Sequence, residues 1–113
     1  MAEWVGIYSD DDVDGYVDTT SIRKNGNLVK MWGMEDFKTG RNTWNGVFLS
    51  RKAQQEYDCR NENDRVLALV TYSGNMGSGK VISSFTFNEH ESPARPIVPG
   101  SNSEIQWKIA CGQ

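Results

Sequence analysis

Residues 16–37 read Tyr16-Val-Asp-Thr-Thr-Ser-Ile-Arg-Lys24, Asn25-Gly26, Asn27-Leu-Val-Lys-Met-Trp-Gly-Met-Glu-Asp-Phe37. The first run is rich in β-branched residues and free of Gly and Pro. Asn25-Gly26 then stands between two β-like runs. Asn and Gly both tolerate positive φ, so the pair is the strongest short-range hairpin signal in the chain. The reading is an antiparallel pair of strands with its turn at Asn25-Gly26.

Outward from this hairpin the dominant period stays at two. Residues 3–9 read as a strand and residues 10–15, Asp-Asp-Asp-Val-Asp-Gly, as a turn. On the other side, residues 38–43 read as a polar connection and 44–49, Trp-Asn-Gly-Val-Phe-Leu, as a short strand. Ser50 is a candidate helix N-cap, and Arg51 to Tyr57 have helix-favouring side chains, so a short helix is expected there. Residues 61–64 read as a loop. Residues 65–73, Arg-Val-Leu-Ala-Leu-Val-Thr-Tyr-Ser, are the best strand in the chain, and a Gly-rich turn at 74–79 leads into another at 80–87. Residues 88–103 carry all three prolines and read as a long loop. In 104–111, Ile105, Trp107, Ile109 and Cys111 alternate with polar residues, which predicts a half-buried final strand.

These elements give an α+β fold: a curved antiparallel sheet of about six strands with one short helix packed on one face. At 113 residues the chain makes a single domain, 1–113. Two strands carry apolar residues on both faces. Leu28, Trp32 and Met34 oppose Val29, Met31 and Phe37; Leu67 and Leu69 oppose Val66, Val70 and Tyr72. One short helix covers only one face, so the other needs curvature, the long loop or a partner. The reading places the functional surface on that second face, with loop 88–103 beside it.

Composition narrows the function classes. Apolar residues make up 37% and charged residues 24%, and no apolar run approaches a membrane span. A net charge of −3 argues against a nucleic-acid binder, which needs a basic surface. The charge is uneven. Residues 1–20 hold six acids and no Lys or Arg, while the rest holds nine acids against 12 bases. An acidic opening of this kind reads as a cation or basic-partner site, or more simply as a solvated loop.

Four stretches carry residues of chemical interest. Gly74-Asn75-Met76-Gly77-Ser78-Gly79-Lys80 fits the first seven positions of a phosphate-binding loop. Position 81 is Val where a magnesium-binding hydroxyl belongs, and a strand rather than a helix follows. The segment therefore reads as a hairpin turn, with no nucleotide expected. Asp10, Asp12, Asp14 and Asp18 fall at ligand positions of a calcium loop, with Gly15 at position six, but Ser21 replaces the bidentate Glu. They form a weak calcium candidate, and no other metal site, cofactor or catalytic group is expected. Glu89-His90-Glu91 lacks the three convergent ligands of a zinc centre and reads as solvated loop. Trp4, Trp32, Trp44 and Trp107 suggest a stacking platform, or core on strands flanked by apolar residues; core is the expectation.

Cys59 and Cys111, the two cysteines, lie at the ends of predicted elements. Metal or reactive-thiol roles lack partners, so a staple is expected; about 52 intervening residues give roughly 4 kcal/mol in the loop-entropy account. A disulfide implies an oxidising compartment and an export signal absent from these residues.

Tyr16 to Asn27 also resembles the opening hairpin of the surface-adhesin protein E family. So do Tyr57-Asp58-Cys59, Tyr72 to Val81, and Ile97-Val98-Pro99-Gly100-Ser101 followed by Glu104, Trp107 and Cys111. The resemblance implies an exported Gram-negative protein of the periplasm or outer-membrane surface, and a non-enzymatic adhesion module. Its implied partners are host matrix proteins such as vitronectin and laminin; the second sheet face separately points to a homodimer or a docking protein partner, from the matrix or the envelope. The alternatives are a structural or assembly-accessory envelope protein and, behind it, a small ligand-binding enzyme using the long loop. The lipidated Cys of the namesake adhesin is not among these residues, and no binding residue is carried over.

Overall fold

The computed structural model describes residues 2–112. Six strands follow one another as an antiparallel meander: β1 Trp4–Ser9, β2 Val13–Asn25, β3 Leu28–Thr43, β4 Gly46–Asp58, β5 Asn63–Tyr72 and β6 Val81–Thr86. A two-residue strand, β7 Arg95–Pro96, pairs with the start of β5, and an α-helix, α1 Asn102–Cys111, follows. The sheet is open and curved, and the helix packs on one face.

The opening hairpin forms between β2 and β3, with one adjustment. Asn25 pairs with Leu28, so the centre residues of the turn are Gly26 and Asn27 rather than Asn25 and Gly26. Gly26 has φ of 63° and Asn27 needs no positive φ, the pattern in which Gly leads the two-residue loop.

Two expected elements exchange character. The helix expected at 51–57 is absent: these residues run through the middle of β4, paired with β3 on one side and β5 on the other. Their helix propensity is worth only tenths of a kcal/mol per residue. Between two strands, every position gains cross-strand neighbours. Polar side chains that looked solvated find partners there: Arg51 with Glu35, Glu56 with Arg65, Gln55 with Asp64. Cys59 therefore follows a strand, in a turn whose amides Asp58 caps.

Conversely, the final strand expected at 104–111 is α1. Ser101 is its N-cap, its side chain accepting from the Glu104 amide, while Glu104 accepts from the Gly100 amide. The stripe turned to the sheet runs Ser103, Gln106, Trp107, Ala110 at helical spacing, with Ala110 buried and the other three half-buried, and only Trp107 among them is large and apolar. Ile105, which made the alternation convincing, is largely exposed.

The segment 38–43 is not a loop. β3 runs on to Thr43, and the hairpin turns at Trp44-Asn45, so Trp44 is neither on a strand nor in the core.

The core lies between the helix and one sheet face. Val17, Val29, Met31 and Tyr57 are buried with Ala110, flanked by Ile7, Ile22, Trp107 and Ile109. The Cys59–Cys111 disulfide pins the end of α1 to this core. The Trp107 indole N–H donates to the Asp58 carbonyl at 3.0 Å, beside it.

The second face is partly closed by the Gly-rich turn, not by loop 88–103. Met34 is buried there; a Cβ on Gly77 would come within 3.8 Å of its sulfur. Lys52 Nζ sits between the rings of Trp4 and Tyr72, 5.4 and 5.0 Å from their centroids. The long loop lies on the helix side, where Arg95 meets Asp64 and the Ser92 hydroxyl accepts from the Val66 amide. The expected pairing of loop and second face is thereby corrected.

Candidate functional site

Two features stand out from the packed body of the domain. The first is the outer end of the β3–β4 hairpin. Every residue from Lys38 to Asn45 is exposed. Trp44, at the apex, is 104% exposed, while Val47 on the return strand is 50% exposed. The base is rigid: Phe37 and Phe48 are buried edge to face at 5.7 Å, and the Arg41 guanidinium lies 4.5 Å over Phe37. A hydrophobic residue of this size, wholly in water on a braced arm, is an outlier against ordinary tryptophan burial.

The second is a cleft of about 490 Å³ between α1, the sheet and loop 88–96. Its floor is apolar, from Ala53, Val66, Leu69 and Phe87. Tyr8, Arg51 and Gln106 line one end; Glu91, Ser92 and Arg95 come from the loop. Glycines shape it. Gly15 lets the Tyr8 ring lie flat on β2, since a Cβ there would be 2.1 Å from Tyr8 Cζ. Partial burial, and then the nearby Glu35 carboxylate, raise the Tyr8 phenol to about 12, so it stays protonated.

Behind the cleft runs a buried polar chain. Gln55 donates to Asp64 at 3.0 Å; Tyr57 O–H lies 3.1 Å from Gln55 Oε1 and 3.3 Å from Gln106 Oε1. Burial pushes the Asp64 carboxyl above its ordinary value, outweighing the Arg95 guanidinium 3.6 Å away. Burial also drives the Tyr57 phenol upward. Among the described residues, none of these groups hydrogen-bonds to a nucleophile or a second acid.

The residues singled out in the sequence are dispersed. Asp10 caps its own turn, accepting from the amides of Asp12 and Val13 at 2.8 and 2.9 Å, which lowers its pKa. Asp14 accepts from the Ser9 hydroxyl and lies 4.0 Å from Lys38 Nζ. Asp18 is buried on β2. Burial raises its carboxyl, but bonds from the Thr20 hydroxyl and the amides of Glu3 and Thr20 hold it below its ordinary value. Among the described residues no three acidic, His or Cys side chains converge on a cation position. His90 is exposed, its amide bonded to Asn88.

In the Gly-rich turn, donors that could face a phosphate already serve the fold. The Met76 amide and the Asn75 side chain donate to Asp36, and the Gly77 amide to Ser50 Oγ. Sequence reasoning missed both Trp44 and the cleft. Asn45-Gly46, inside the strand expected at 44–49, is the local turn signal beside the Trp44-Asn45 apex; the cleft has no local signal, since its lining comes from six separate segments.

Comparison with known proteins agrees with this architecture. The family model described as surface-adhesin protein E matches residues 4–112. Solved structures of Haemophilus influenzae protein E share the fold. Its selenomethionine form aligns with a TM-score of 0.71 at 15% identity, covering 96% of this chain and 86% of that one. A second crystal form gives 0.67 at 14%, covering 87% and 80%. No curated protein matches the sequence significantly.

Proposed function

The chain belongs to the surface-adhesin protein E family, and from that premise we propose that it binds an extracellular protein, of the host-matrix kind, through the β3–β4 hairpin with Trp44 as anchor. The premise makes it an adhesin-type surface protein. The observation that carries the finer reading is the 104% exposure of Trp44 at the tip of a braced arm. Tryptophan is the residue type most enriched where a few contacts supply most of the binding energy, and burying it in a partner recovers the free energy its exposure forgoes. A pre-organised hairpin adds little ordering entropy to that step. On this reading the protein works at the outer-membrane surface rather than free in the periplasm, and it is not an enzyme.

Biolayer interferometry against immobilised vitronectin, laminin and fibronectin tests it. The native domain binds at least one saturably, and Trp44→Ala weakens that binding at least tenfold. Unchanged binding by Trp44→Ala rejects the hairpin, and no binding to any matrix protein rejects the host-matrix partner.

A homodimer is the second reading. The outer edge of β6 is unpaired among the described residues, and Val81 and Phe85 on it are 56% and 49% exposed. Light scattering across a concentration series decides it.

A further inference from the structure

The cleft between α1 and the sheet holds hydrogen-bond donors without protein acceptors among the described residues, with the Glu35 and Glu91 carboxylates also in its lining. Arg51 donates through Nε to Glu35 Oε1 at 2.6 Å, and its two terminal nitrogens have no acceptor among the described residues. The Tyr8 hydroxyl, protonated at any physiological pH, likewise has no partner. The Gln106 side-chain amide is 3.3 Å from the Tyr57 hydroxyl, whose single hydrogen Gln55 Oε1 at 3.1 Å also faces, so that amide serves the buried chain behind the cleft. Donors from β1 and β4 thus line the end of a cleft whose floor is apolar.

From these donors and this floor we infer that the cleft receives the carboxyl terminus of an extended peptide ending in an apolar residue. A carboxylate supplies acceptors for the free face of the Arg51 fork and for the Tyr8 hydroxyl. The terminal apolar side chain covers Ala53, Leu69 and Phe87. The volume of about 490 Å³ is that of a small-ligand site and takes a short chain end, not a folded domain. The walls favour a peptide over an alkyl carboxylate. Asn102 and Ser103 interrupt the apolar surface with groups that pair with peptide N–H and C=O, which an alkyl chain does not offer. This site is separate from the hairpin, and the inference stands or falls without it.

The test is a titration of ¹⁵N-labelled full chain with acetyl-Ala-Ala-Leu as the free acid, as its C-terminal amide, and with hexanoate as the alkyl control. The free acid should give saturable shifts at Tyr8, Gln106 and the Arg51 Nε–H. The amide and hexanoate should bind at least about tenfold more weakly. Arg51→Lys should weaken the acid by a similar factor, because a point charge replaces the fork. Ala53→Leu, which keeps Arg51 and fills the floor, should abolish binding while spectral dispersion shows the fold intact. Trp44→Ala should change nothing. Equal binding of acid and amide, hexanoate as tight as the peptide, or no saturable shift in the cleft overturns the inference.

Discussion

The ring of Tyr8 lies directly on the backbone of Gly15: a Cβ at position 15 would be 2.1 Å from Tyr8 Cζ. Gly15 is fully within the sheet, paired with Tyr8 on β1 and Glu35 on β3. The missing side chain therefore decides where an aromatic ring from the edge strand comes to rest. Gly15→Ala should displace that ring and loosen β1, at about 1–3 kcal/mol for an overpacked position. Urea unfolding gives the magnitude, and the Tyr8 ring resonances report the displacement. A stable variant with Tyr8 unmoved would mean the ring position is not set by Gly15.

Cys59 and Cys111 are 52 residues apart in sequence and bonded in the fold. Ellman's reagent on denatured, unreduced protein should find no free thiol. Cys111→Ser should lower stability by about 2–5 kcal/mol. Hydrogen exchange should rise first in α1, which meets the sheet through few large apolar side chains. Uniform loss of protection across sheet and helix would contradict that ordering.

Ser101→Ala should fray the start of α1 and cost about 1 kcal/mol, because the Glu104 amide loses the capping hydroxyl and keeps only the Ser101 carbonyl. Circular dichroism with urea unfolding measures both effects. Ser101→Asp should retain most of the stability.

Asp18 and Asp64 should give opposite pH dependences. Asp18 is held below its ordinary value, so its contribution is present above the unfolded-state pKa and is lost as pH falls through the lower folded value. Asp64 is raised, so the native state takes up its proton first, and stability falls as pH rises through that raised value. Asp18→Asn should thus be destabilising near neutrality and nearly neutral in acid. Asp64→Asn should lose least, relative to the native chain, at neutral pH. Urea midpoints of both variants between pH 3 and 7 check the two signs.

Trp44→Ala should change stability by less than about 0.5 kcal/mol, since the side chain is in water in the free protein. A larger loss in thermal unfolding would mean that the apex is packed in solution.

Local sequence chemistry was enough for the antiparallel sheet of about six strands, the hairpin near Gly26, the strands of the two double-faced apolar runs and the cysteine staple. Each is written in local chemistry: a positive-φ residue between β-branched runs, an alternation of two, two thiols at element ends. Tertiary structure alone decided which of two ambiguous segments became the helix. Arg51–Tyr57 has the better helix composition, yet it sits where both neighbouring strands offer backbone and charge partners, and there pairing outweighs propensity. Residues 102–111 pair with no strand, and the Ser101–Glu104 cap with the Cys111 bond makes the helix the packed solution. The cleft is legible only in three dimensions for the same reason. Tyr8, Arg51, Leu69, Phe87 and Gln106 carry no common spacing, and they meet because a curved sheet and a covering helix bring their faces together.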